Sequence, residues 1–169
     1  FMIGSRAVRA DRVDPDAPLT RGEAVTLLLT RSRSVMRNVG MNGPVQLPFG
    51  DLPDRHPARG AILAAWVEGW LQPLANETLF RPDEPVTRAE FAAWAARAIG
   101  LGQLARSGLT VQPGFKDLAG LTPEQQNAAT FLRSLQLLPE ADTFRGAEPM
   151  TQAEGAVLTA RIYNSLLKP

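Results

Sequence analysis

An all-α protein built from tandem helical repeats is what this sequence predicts, on three observations. The segment Phe80 to Glu90 aligns without gaps on Val13 to Glu23 and on Phe144 to Glu154. Between these recurrences apolar residues fall at three- and four-residue steps, the period of a helix. Only short segments are left over for strands. Searching for repeats before assigning elements matters here, because a stacked unit buries its apolar face against its neighbours.

Each copy of the segment has an apolar residue, a proline five places on (Pro18, Pro85, Pro149), another apolar residue and the tetrapeptide Thr-x-x-Glu. Thr20, Thr87 and Thr151 are placed to cap a helix, with Glu23, Glu90 and Glu154 returning the bond three residues later. Leu19, Val86 and Met150 then stand at the staple position ahead of each cap. Behind the caps Ala24, Leu27 and Leu28 form one face, matched by Phe91, Trp94, Ala95 and Ala98 and by Gly155, Leu158 and Ile162. A central bundle of these three helices is the simplest way to bury them.

A second landmark, Phe-x-Asp, occurs at Phe49/Asp51 and Phe115/Asp117, 66 residues apart, close to the 67 and 64 residues between the threonines. It precedes an opening helix in two units, read from Ala58, Ile62, Ala65, Trp66 and Gly69 and from Ala128, Phe131, Leu132 and Leu135. Gly- and Pro-bearing stretches from Arg33 to Pro48 and from Gly100 to Gly114 read as links. The units are therefore 1–36, 49–101 and 115–167. Only twelve residues precede Val13, so the first unit lacks its Phe-x-Asp and opening helix, and truncation of that unit is the expectation. An apolar surface left by the missing helix would favour self-association.

Phe-x-Asp, an Ala-rich helix, Gly69, Phe80/Pro82 and Val-Thr-Arg-Ala-Glu at Val86 to Glu90 together resemble the S-layer homology domain, a repeat usually found in threes on bacterial surface proteins. The second unit is the nearest match. The third departs at Gly146 and Gln152, and Pro57 stands where the family often has Trp. The resemblance implies a pseudo-threefold arrangement around the capped helices, with ligand grooves between units. It also implies non-covalent anchoring of a secreted surface protein to the cell wall through an anionic, often pyruvylated, secondary polysaccharide linked to peptidoglycan.

Composition narrows the alternatives. Eighteen basic against seventeen acidic residues give a net charge of +1, which argues against nucleic acid as a partner. No cysteine and one histidine, His56, exclude a thiolate or multi-histidine metal site. Phosphate-loop, zinc-helix and nucleophile-turn motifs are absent, and the acidic pairs Asp83/Glu84 and Glu140/Asp142 are not fixed across a cleft as a glycosidase requires. The expectation is no catalysis, no cofactor and no membrane insertion.

The tetrapeptide offers the sharpest candidates. Capping explains Thr and Glu but not Arg21 and Arg88, cations at a helix start where the dipole disfavours them by roughly 0.3–1 kcal/mol. A carboxylate held between first-turn N–H groups and the guanidinium would turn that cost into a site; the competing reading is a solvated or locally paired arginine. Gln152 keeps hydrogen bonding without charge. Asp51 and Asp117 are read as turn residues that could cap the helix that follows, or as sugar-hydroxyl acceptors, and Trp70 as a ring either open to stack on a sugar or covered by the next loop. Trp66 and Trp94 are expected in the core. A protein–protein scaffold on the same repeats is the alternative function, and a wall-glycan enzyme the least favoured.

Overall fold

The computed structural model describes residues 14–29, 46–72, 78–107 and 114–167. It is helical: α1 (Arg21–Leu29), α2 (Arg59–Val67), α3 (Arg88–Ala98), α4 (Gly102–Arg106), α5 (Pro123–Ser134) and α6 (Gln152–Ile162), followed by a π-helical turn at Tyr163–Leu167. Among the described residues extended pairing is confined to three isolated bridges, Pro18–Thr151, Thr20–Pro85 and Thr87–Pro149. The whole of residues 1–13 and most of the first link lie outside the described residues.

The capped helices start as their sequences require. Thr87 Oγ1 accepts from the Glu90 N–H and the Glu90 carboxylate accepts from the Thr87 N–H; Thr151 and Glu154 repeat the exchange. On α1 the Thr20 N–H donates to Glu23 at 2.9 Å and the Glu23 N–H returns to Thr20 Oγ1 at 3.3 Å. The residue ahead of each cap is buried, and the three are tied to one another. Leu19 N–H donates to Met150 O (2.7 Å), Met150 N–H to Val86 O (2.9 Å) and Val86 N–H to Leu19 O (2.9 Å), which closes a cycle. Those amides have no partner within their own helices, so the cycle satisfies buried polar groups that would each cost about 1–3 kcal/mol if left unpaired.

Around this cycle lies one continuous core that includes Leu19, Ala24, Leu28, Ile62, Ala65, Phe91, Ala95, Leu132, Leu158 and Ile162. Phe91 fills the space beside Gly155, where an added Cβ would meet Leu19 Cδ2 at 2.7 Å. The third capped helix is thus small where the second is large. α2 lies on α1 and α5 on α3.

Two local expectations need correction. Leu135 is 41% exposed, because α5 stops at Ser134 and Gln136 turns through φ 58°, which carries Leu137 inward instead. The Gly100–Gly114 stretch is more than a link: α4 forms within it and packs on α3 and α5. α5 also has a capping box of its own, Thr122 with Gln125.

Candidate functional site

The first turn of each capped helix lies against the turn that precedes the next capped helix in the cycle. Arg21 and Gly22 N–H groups donate to Glu84 O and Pro82 O, Arg88 and Ala89 to Glu148 O and Gly146 O, and Gln152 and Ala153 to Ala17 O and Pro15 O, all at 2.8–3.0 Å. These are the donors a helix start would offer an anion. They are consumed internally, so the expected site, with free N–H groups beside a guanidinium, does not exist in that form.

The arginines are consumed in the same interfaces. Arg21 donates from Nε to Phe80 O at 2.8 Å, pairs through Nη1 with Glu90, and lies over the Phe80 and Trp94 rings at 5.2 and 5.0 Å. Arg88 forks onto Glu154, with Nη1 on Oε2 and Nη2 on Oε1, the latter at 2.6 Å. Glu90 and Glu154 therefore each accept from their own threonine amide and from the arginine at the start of the preceding capped helix. Burial alone would raise the Glu154 carboxyl; the Arg88 hydrogen bond, the Thr151 N–H and the charges of Arg88 and Arg145 outweigh it and hold the group below its ordinary value. The paired reading of the arginines is the one the structure supports. Gln152 occupies the third such position, and among the described residues its side chain makes no hydrogen bond.

Asp51 and Asp117 are clamps and not helix caps. Asp51 accepts from the Phe80 and Arg81 N–H groups at 2.7 and 2.6 Å, and Asp117 from Phe144 and Arg145, both at 2.7 Å. They hold the Phe-Arg turn, whose arginines sit at φ 55° and 56°. Desolvation works to raise both carboxyls, yet the backbone donors prevail and lower them. Both acceptor oxygens are thus committed within the fold.

Trp70 is only 5% exposed and donates from Nε1 to Glu68 at 3.0 Å, which removes it as an open stacking platform. The positive φ of Gly69 (78°) turns the chain so that this ring and Leu71 fold back on the core. Trp94 is core and stacks on Phe80 at 6.0 Å; Trp66 is half-buried, edge-on to Phe49. His56 accepts the Ala58 N–H on Nδ1 and faces Asp83 through Nε2 at 3.3 Å, which joins the start of α2 to the turn after Phe80.

Among the described residues two clefts lie open in corresponding places. The first, about 70 Å³, lies among Arg21, Phe49, Phe80, Trp94, Arg97 and Gln125. The second, about 140 Å³, lies among Arg88, Phe115, Pro139, Phe144, Arg145 and Leu158. Each has an arginine from the preceding helix start, the Phe of Phe-x-Asp, the Phe of the Phe-Arg turn and one inner residue of a capped helix. A family model for the S-layer homology domain matches residues 75–92. Its described part runs from the turn held by Asp51 through the cap into α3. Domains of this kind are in general involved in anchoring surface proteins to the cell wall. No curated protein matches the chain.

Arg145 was not singled out by sequence reasoning. Its side chain is 52% exposed at the mouth of the second cleft, with Glu148 at 3.3 Å and Glu154 at 3.9 Å. The available signal was the recurrence of Phe-Arg at Phe80/Arg81 and Phe144/Arg145. Among the described residues no cluster of His, Asp and Glu is arranged to hold a metal, and no helix is long and apolar enough to cross a membrane.

Proposed function

We propose that this chain is a non-catalytic wall-binding module that holds a bacterial surface protein to an anionic, pyruvylated secondary polysaccharide linked to peptidoglycan. The observation that carries the reading is the family match over the 75–92 segment, whose turn and helix start build the walls of the first cleft. The half-exposed guanidinium of Arg145 beside the second cleft suits an acidic substituent on a sugar ring.

Within this reading the acidic group is received at Arg145, in the larger cleft. Arg88 is less available, because a ligand would first have to separate its forked pair with Glu154. Exposed pairs such as Arg145–Glu148 are worth little, about 0–1 kcal/mol, so exchange there is inexpensive. Titration with purified wall polymer tests the proposal: saturable binding that disappears when the ketal is removed supports it, and indifference to the polymer refutes it.

A second reading, a helical protein–protein scaffold that has lost glycan binding, is favoured by the internal use of the first-turn N–H groups and of Arg21 and Arg88. It predicts no affinity for polymer and capture of a protein ligand. Release of sugar fragments from polymer would point to the third class, an enzyme.

A further inference from the structure

The two clefts are built on one plan. In the first, the Phe49 and Phe80 ring centroids lie 5.2 Å apart; in the second, those of Phe115 and Phe144 lie 5.3 Å apart. Asp51 and Asp117 clamp the two Phe-Arg turns in the same way. Each turn presents an exposed arginine, Arg81 or Arg145, at φ 55° or 56°. Each cleft also holds an arginine from the preceding capped helix, Arg21 paired with Glu90 or Arg88 paired with Glu154. Frame and cation supply therefore do not distinguish the two. Their volumes do, at about 70 and 140 Å³.

The plan departs at the inner residue contributed by the capped helix. It stands seven places after the capping threonine and is Trp94 in the first cleft and Leu158 in the second. Trp94 extends the aromatic pair into a row of three, stacking on Phe80 with centroids 6.0 Å apart and ring planes 18° apart. With Phe80 it also holds the Arg21 guanidinium, which lies 5.0 Å from the Trp94 ring and 5.2 Å from the Phe80 ring. Leucine at the corresponding place is too short to span the same space, and in a close-packed frame that otherwise matches, the difference is left as room. The start of α5 borders the first cleft as well, through Thr122, Glu124 and Gln125, and is the competing cause of its smaller volume.

We infer that the residue seven places after the capping threonine is the gate that sets which of the two clefts admits a sugar: Leu158 leaves the second open, and Trp94 plugs the first. The inference rests on the wall-binding reading and adds to it the residue that determines where ligand is accepted. Arg81 is thereby left beside a closed cleft and Arg145 beside an open one, although the two arginines are held alike.

Isothermal titration of the full chain with short fragments of purified wall polymer, each bearing one pyruvyl ketal, tests the gate by stoichiometry and affinity. Trp94→Leu is expected to add one site per chain, and the added site should be lost again when Arg81→Gln is combined with it. Leu158→Trp is expected to weaken binding at the second cleft about tenfold. Leu158→Phe, a smaller intrusion into the core, should give an intermediate loss and stands in for the Trp variant if that one does not fold, as judged by thermal melts. Unchanged stoichiometry in folded Trp94→Leu would overturn the inference and make the start of α5 the limiting wall. Undiminished affinity in the folded Leu158 variants would overturn it equally. Absence of binding by wild type and by every variant would overturn the wall-binding reading itself, a result distinct from wild-type binding that ignores the substitutions.

Discussion

Replacing Arg88 with Ala should destabilise the fold, although a sequence-only reading of this arginine as a ligand contact expects the variant to fold normally. The substitution removes two charge-assisted bonds to Glu154, in a pair whose side chains are 15% and 32% exposed. Hydrogen bonds to charged groups contribute about 1.5–3 kcal/mol, and this figure must be reduced for the partial exposure of the glutamate. Glu154 also keeps the Thr151 N–H at 3.0 Å and the more distant Arg145. The expected loss is about 1.5–2 kcal/mol, or a Tm lower by about 3–8 °C for a chain of this size. Thermal melts at pH 7 check the magnitude, and a double-mutant cycle with Glu154→Gln should return a coupling of about 1 kcal/mol. The pH dependence checks the cause. Because the folded state lowers the Glu154 pKa from its ordinary 4.5, the stabilisation is present above about pH 4.5 and is lost as pH falls through the depressed folded value. The gap between wild type and variant should therefore shrink in acid. A Tm change below about 1 °C at pH 7, or a gap that is flat with pH, would refute the interface role.

Three further outcomes follow from the same geometry. Gln152→Arg should supply the third interface with the pair it lacks, opposite Glu23, and raise the Tm by about 2–4 °C; an unchanged or lower value would show that the third interface does not match the other two. Asp51→Asn, which leaves one good acceptor for two N–H groups, should cost about 1–2 kcal/mol by chemical denaturation, and the difference from wild type should begin to shrink below the ordinary aspartate value of 3.8 and be lost as pH falls through the depressed folded value, since that carboxyl is lowered in the fold. Arg145→Ala should reduce affinity for wall polymer about tenfold while shifting the Tm by less than about 2 °C, which separates ligand contact from fold support.

The helical elements were legible in the sequence because their causes are local. A threonine and a glutamate three residues apart make a cap wherever they occur, and the apolar residue ahead of the cap has a fixed place relative to it. The cap of α5 was equally legible in Thr122-Pro-Glu-Gln125 but was not drawn from it. The partners of the tetrapeptide arginines were hidden for a different reason. Glu90 and Glu154 were already explained by capping, and a carboxylate has a second oxygen whose partner comes from the start of another capped helix, 66 or 69 residues away. The Asp51 and Asp117 clamps reach 29 and 27 residues ahead to Phe80 and Phe144, unequal distances that a fixed repeat period does not register. Trp70 depended on the direction taken after Gly69, which helix periodicity does not specify.

The most direct test of the wall-binding account is co-sedimentation of the intact chain with purified peptidoglycan carrying its attached polymer, compared with the same peptidoglycan after the polymer has been removed. The account predicts that the protein pellets with the first and stays in solution with the second, and that free polymer competes it off. Equal pelleting with both, or no pelleting with either, would contradict it.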